Sequence, residues 1–243
     1  MSLPDRFAAA VTAEAAAFPE IELLPVRLAR ACVRVLAVGG AGISALAHPD
    51  LRLPIGASDD VAGYVERLQF TYGEGPCLRA YTTGRPQLIS AAELKEHWPE
   101  LHRDFTAITP FRAVASLPLF EGTTRIGALD LYLIAPTGLD AAGLDDALVI
   151  AQCVSAALTA ARVYTAAAQH ADPLVPPRGG FTAPMAKRVQ VWKAMGLMNV
   201  HLQLTTPDAL ALLRAHAYAT DCLVDDLAHA VITRKIPLDD LRP

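Results

Sequence analysis

Cysteine is scarce and scattered: Cys32, Cys77, Cys153 and Cys222 are the four thiols in 243 residues. None forms a C-x-x-C pair, which argues against a zinc site and a disulfide framework and leaves four inert thiols as the expectation. No leader is expected either. Asp5 and Glu14 interrupt the alanine-rich N-terminus, and no basic stretch precedes a continuous apolar run, so a cytoplasmic chain without a signal peptide is expected. The longest apolar run, 147–161, contains Gln152, Ser155 and Thr159 and reads as a buried helix, too short and too polar for a bilayer. No G-x-S-x-G, Walker loop or H-E-x-x-H occurs, and there is no repeat or low-complexity block. What remains is 53% hydrophobic with mean hydropathy +0.30, ample for a packed core.

Fragments of catalytic patterns do not add up to an enzyme. Gly40-Ala41-Gly42-Ile43-Ser44-Ala45 fits G-x-G-x-x-A, but it follows a helical period and opens a strand, the reverse of the strand-to-helix context that holds a pyrophosphate. A turn is expected there. His97 and His102 are five apart and cannot stack on one helical face as a metal pair, while Glu93, Glu96 and Glu100 read as solvated carboxylates. No catalytic step and no metal are expected, and no cofactor is indicated.

The net charge of −4 is unevenly divided. Residues 1–170 carry 13 Lys/Arg against 18 Asp/Glu, and residues 171–243 carry 8 against 7. Any nucleic-acid contact must therefore come from a focused patch and weaken with salt. Pro173, Pro176, Pro177, Gly179, Gly180 and Pro184 mark residues 171–184 as a linker between a domain at 1–170 and one at 185–243.

In the first domain the apolar periods predict a helix over 26–38 and a hairpin of strands at 42–47 and 51–57 around His48-Pro49-Asp50. Leu51, Leu53 and Ile55 alternate there against Arg52 and Pro54. Ser58-Asp59-Asp60 caps a helix through Leu68; a short helix at 75–83, a strand at 87–89 and a helix at 94–105 follow. Strands at 114–120 and 126–134 flank a turn at Gly122, the second placing Leu129, Leu131 and Leu133 on one face and Ala128, Asp130 and Tyr132 on the other. A long helix over 143–168 closes the domain. This is an α+β order, helices covering an antiparallel sheet.

The run Tyr72-Gly73-Glu74-Gly75-Pro76-Cys77-Leu78-Arg79-Ala80-Tyr81-Thr82-Thr83-Gly84-Arg85-Pro86, with Ser116-Leu117-Pro118-Leu119 and Ile126-Gly127-Ala128-Leu129-Asp130-Leu131-Tyr132, resembles a GAF domain over roughly 25–165. The likeness is to GAF domains that precede ANTAR modules in actinobacterial regulators. It implies a PAS-like sheet with a small-molecule pocket. Phe70, Tyr72, Tyr81 and Phe111 are the candidate apolar lining and Arg79, Arg112 and Glu74 the polar anchors, against the alternative that the aromatics fill the core. Cys77 reads as a structural thiol.

The C-terminal stretch contains Ala194-Met195-Gly196-Leu197-Met198, Leu213-Arg214-Ala215-His216-Ala217-Tyr218 and Asp226-Leu227-Ala228, and resembles the three-helix ANTAR domain. That resemblance implies binding to paired RNA hairpins near terminators, and so signal-responsive transcription antitermination. Lys187, Gln190, Lys193 and His201 make a polar stripe on the first helix, flanked by Val191, Met195, Met198 and Leu202 on one side and Val189, Trp192, Gly196 and Val200 on the other. Two apolar flanks suggest a partner chain, hence a homodimer, and Gly196 suggests close backbone approach. Thr206-Pro207-Asp208 starts the second helix, where Leu210, Leu213 and Ala217 face inward and Arg214 and Tyr218 share a face suited to phosphate and an unpaired base. The third helix, 224–234, ends in Thr233-Arg234-Lys235. The candidate RNA-binding set is thus Lys187, Gln190, Lys193, Gly196, Arg214, Tyr218, Arg234 and Lys235. Two positions depart from related segments: Met195 replaces a polar residue, and Asp221-Cys222 lacks a usual arginine. The alternative is a ligand-sensing GAF protein whose helical tail is a dimerisation or protein-interaction module without RNA binding.

Overall fold

A computed structural model describes residues 1–46, 52–135, 139–171 and 183–242. Its elements run α1 (Leu3–Glu14), α2 (Leu24–Val35), β1 (Gly40–Leu46), β2 (Arg52–Ala57), α3 (Asp60–Tyr72), α4 (Pro76–Thr83) and β3 (Gln87–Ile89). Then come α5 (Ala91–His97), α6 (Pro99–Ile108), β4 (Ala113–Glu121), β5 (Thr124–Leu133), α7 (Ala141–Ala171), α8 (Ala183–Leu202), α9 (Thr206–Ala219) and α10 (Val224–Ile232). The strands form one antiparallel sheet in the order β2-β1-β5-β4-β3.

Helices cover both faces of this sheet, so the central strands β1, β5 and β4 bury both of their side-chain sets over most of their length. Leu129, Leu131 and Leu133 of β5 join Ile43, Leu117 and Leu119 under α2 and α7. Tyr132, on the opposite parity, packs with Phe105, Phe111 and the α3 residues Val65 and Leu68. The alternation expected on β2 is reversed in depth: Arg52, Pro54 and Gly56 are buried, whereas Leu53 and Ile55 are only half-buried. A charged residue took the inner position because a partner waits for it there. Gly40 to Ala45 is not a turn; it lies inside β1, and Gly42 faces α3 so closely that a Cβ would run into the Glu66 carboxylate.

Local chemistry explains most element ends. Asp59 caps α3 by accepting from the Ala62 amide at 2.8 Å, and Gly73 closes it at φ 71. The helix expected at 94–105 is two, because the residue before Pro99 cannot stay helical: buried Trp98 sits at ψ 68 between α5 and α6. An additional helix, α1, is held by Glu14, which is 2% exposed and accepts from Arg30 Nε at 2.6 Å and pairs with Arg34. The stretch Ala141–Ala161 of α7 is long and apolar enough to cross a membrane by length and composition alone. Here α7 lies across the sheet with Ala147, Ile150 and Val154 fully buried.

At the C-terminus α8, α9 and α10 surround Val191, Met198, Leu210, Leu213, Leu227 and Val231. Thr205, not Thr206, is the N-cap of α9, accepting from the Asp208 amide at 3.3 Å. The residues 172–182, most of the expected linker, and the hairpin turn at 48–50 lie outside the described residues.

Candidate functional site

Six polar side chains meet between the sheet and α3. Arg52 on β2 reaches across to Glu66 on α3, with Nη2 to Oε2 at 2.5 Å and Nη1 to the Glu66 carbonyl at 2.9 Å. Ser44 on β1 donates to the same carboxylate at 2.6 Å, and the Tyr132 hydroxyl donates to its other oxygen at 2.5 Å. Gln69, one turn along α3, donates to Asp130 Oδ2 at 2.8 Å while its carbonyl accepts the Cys77 amide at 3.1 Å. Arg52, Glu66 and Asp130 are each 3% exposed or less. Charges this deep survive only when paired and hydrogen-bonded.

Two carboxylates share one guanidinium, and Asp130 is the one that yields. Burial, then the neighbouring Glu66, pushes its carboxyl up to about 7, against Arg52, Ser116 and Gln69. Burial also pushes the Cys77 thiol well up, so it is a poor nucleophile. No group of three His, Cys, Asp or Glu suited to a metal occurs among the described residues. The network orients α3 on the sheet; its atoms already face one another.

An adjoining side of α3 meets the C-terminal helices. Phe70 is 2% exposed and belongs to their core. Arg188 of α8, fully buried, holds its guanidinium 3.1 Å from the Phe70 ring centroid and 3.7 Å from Asp225 on α10. Arg214 of α9 donates from Nε to the Phe70 carbonyl at 3.1 Å. The first amide of α10, at Val224, has no cap from its own segment and donates instead to Thr71 Oγ1 at 3.1 Å. Arg67 pairs with Asp226 at 3.4 Å. Beside these ties a groove of about 660 Å3 opens between α3, α6, α9 and α10.

The structure separates the seven residues expected to line or anchor a sensor pocket, and leaves Glu74 exposed. Phe70 faces the helical bundle, Phe111 stacks on Tyr132 at 5.2 Å, and Tyr81 packs beside Cys77 with Arg125 over its ring. Arg79 is exposed, 5.9 Å from the Trp98 ring centroid, and Arg112 donates to the carbonyls of Thr109 and Phe111. Tyr72 lines the inter-helix groove, its hydroxyl 2.5 Å from Asp104. Of the eight residues expected to meet RNA, Lys187, Lys193, Gly196, Tyr218, Arg234 and Lys235 are exposed, while Gln190 and Arg214 are half-buried. Within this chain nothing approaches Gly196 closely: a Cβ there would meet no described atom within 4 Å. The second apolar side of α8 is partly explained without another chain, because α8 packs on β2 and Trp192 borders a groove with Ala45 and Leu53.

Arg52, Glu66 and Arg188 escaped sequence reasoning. The available signal was a charge inside an apolar alternation, at Arg52 and at Asp130, but nothing local names the partner.

A helix-covered antiparallel sheet with a buried polar network under α3 defines an α+β domain. The model of the GAF domain matches residues 25–159, more than half of the chain, so the chain belongs to the GAF family, whose domains sense signals or ligands. The fold is similar to a GAF domain of a phosphoenolpyruvate-protein phosphotransferase from Coxiella burnetii, at 15% identity and TM-score 0.48, covering 68% of this chain and 99% of that one. It is also similar to the free methionine-R-sulfoxide reductase of Neisseria meningitidis solved with its substrate, at 12% identity and TM-score 0.45, covering 68% and 95%. The cyanobacteriochrome TePixJ GAF domain matches at 18% identity and TM-score 0.46, covering 59% and 92%. Likeness at this level carries nothing about ligand or reaction. No curated protein matches.

Proposed function

We propose that this chain is a cytoplasmic GAF-input regulator whose three C-terminal helices are an ANTAR-type output that binds paired RNA hairpins beside terminators, with no catalytic step. The observation that supports it is the junction of the two: α9 carries Arg214 and Tyr218 one turn apart, and the GAF helix α3 holds Arg214 through the Phe70 carbonyl. Tyr218 remains 57% exposed. A signal that loosens α3 from α9 would release a guanidinium beside an exposed phenol, the pair suited to phosphate and a splayed base. Lys187 and Lys193, exposed on α8, extend the cationic surface.

The test is crosslinking and sequencing of RNA bound to the full chain in its host, beside a Tyr218→Ala/Lys193→Ala variant of verified fold. Enrichment of hairpin pairs near terminators, lost in the variant, is expected. Absence of any enriched RNA with folded protein present sinks the reading. The second reading, a helical tail that dimerises or binds protein, is favoured by the apolar surface of α8, where Val200 is 75% and Leu197 46% exposed. A homodimer that dissociates in Val200→Asp, without any RNA binding in the wild type, would establish it.

A further inference from the structure

The groove between α3 and α6 on one side and α9 and α10 on the other has a lining unlike that of a packing defect. Three phenols, Tyr64, Tyr72 and Tyr218, contribute to it together with the carboxylates Asp104, Asp221 and Asp226. Tyr72 and Tyr218 stand edge to face, with centroids 6.3 Å apart and an interplanar angle of 76°, so they present an edge and a face at right angles. That geometry forms a corner rather than a slot for a flat ring. Aromatic faces are electron-rich and attract cations, most strongly where carboxylates add to the field.

Charge decides which ligand fits. Two guanidiniums, Arg103 and Arg214, also line the groove, and of its three carboxylates Asp104 is paired with Arg103 and Asp226 with Arg67, which leaves Asp221 to face a ligand. Arg103 is taken up by Glu100 and by Asp104, the latter at 2.9 Å, and Arg214 is turned to the Phe70 carbonyl and ring. Neither offers an open fork to an anion. The ring of Tyr64 already has the Arg67 guanidinium 5.7 Å from its centroid, which shows that this wall takes a cation. Burial and then Asp104 push the Tyr64 phenol up, against Arg67. At about 660 Å3 the groove has the size of a small-molecule site.

We infer that this groove binds a small organic ammonium ion, seated on the Tyr72 and Tyr218 rings with its charge toward Asp221. The site is built half from the GAF domain and half from the C-terminal helices, so an occupant bridges the two. It does not depend on RNA binding, and its test contains no RNA.

Choline and spermidine are titrated by calorimetry into the full chain at low salt, with inorganic phosphate and the neutral isostere of choline, dimethylbutanol, as comparisons. Saturable one-to-one binding of at least one cation is expected, with the isostere about tenfold weaker and phosphate not bound. Tyr218→Ala weakens that binding about tenfold, and Asp221→Asn by about threefold, through a lost cation–π contact and a lost charge respectively. Asn suits position 221, where φ is 50, and Tyr218 is 57% exposed, so both variants keep the fold. Circular dichroism spectra matching the wild type check this. The inference is overturned if neither cation saturates, if the isostere binds as well as choline, or if both variants bind unchanged.

Discussion

Arg188 and Asp225 form a buried ion pair that does not earn its place by stability. The guanidinium is fully buried and the carboxylate 3% exposed, yet they stand 3.7 Å apart, and among the described residues neither Nε, Nη1, Nη2 nor either carboxylate oxygen makes a hydrogen bond. At 3.7 Å and an effective dielectric of about 20 the attraction is about 4 to 5 kcal/mol. Desolvation costs several kcal/mol for each ion, and the hydrogen bonds that usually offset it are unmade. The Phe70 face under Arg188 and the start of α10 at Asp225 return about 1 to 3 kcal/mol between them. Burial accordingly pulls Arg188 down to about 9 despite Asp225. Arg188→Met alone strands Asp225 and should cost about 3–5 kcal/mol, whereas Arg188→Met with Asp225→Leu should come within about 1 kcal/mol of the wild type or exceed it. Urea unfolding of the wild type, both single variants and the double variant, followed by far- and near-UV circular dichroism, completes the cycle. A double variant no more stable than Arg188→Met would refute the reasoning.

Three further outcomes are expected. Gly196→Ala should stabilise the chain by about 0.5–1 kcal/mol in the same urea assay, because the position is helical and a Cβ meets nothing within 4 Å. Thr71→Val should cost about 1 kcal/mol and speed hydrogen exchange at the start of α10, since Thr71 Oγ1 caps the Val224 amide; unchanged exchange there would count against the cross-element cap. Asp130 has a folded pKa of about 7, above its ordinary 3.8, so the folded state binds the extra proton between those values. Stability should therefore fall as pH rises from about 4 to about 7, and Asp130→Asn should flatten that slope. A variant whose slope matches the wild type would show that another group titrates.

Periodic and local features were legible in the sequence for a simple reason: the backbone repeats them within a few residues. The two faces of β5, the Asp59 cap, the turn at Gly122 and the inward set Leu210, Leu213, Ala217, Val224, Leu227, Ala228 and Val231 all follow from strand or helix periods and hydrogen bonds that span one turn. The split at Trp98-Pro99 escaped sequence reasoning although the proline rule is equally local.

Tertiary structure alone decided the rest. Arg52 reads as an outward residue until Glu66, fourteen positions later, is brought opposite it at 2.5 Å. Phe70 reads as pocket lining until the C-terminal helices supply a second core for it, and Arg214 reads as a surface cation until the Phe70 carbonyl, 144 positions away, accepts its proton donor. A charge or an aromatic ring is placed by the free energy of its partners, and partners distant in the chain leave no mark in the local pattern. Apart from α1, the break between α5 and α6 and the reversed depth of β2, the sequence determined which helices and strands exist and which sides are apolar. Packing decided which polar groups would be buried, and so where this molecule keeps its grooves.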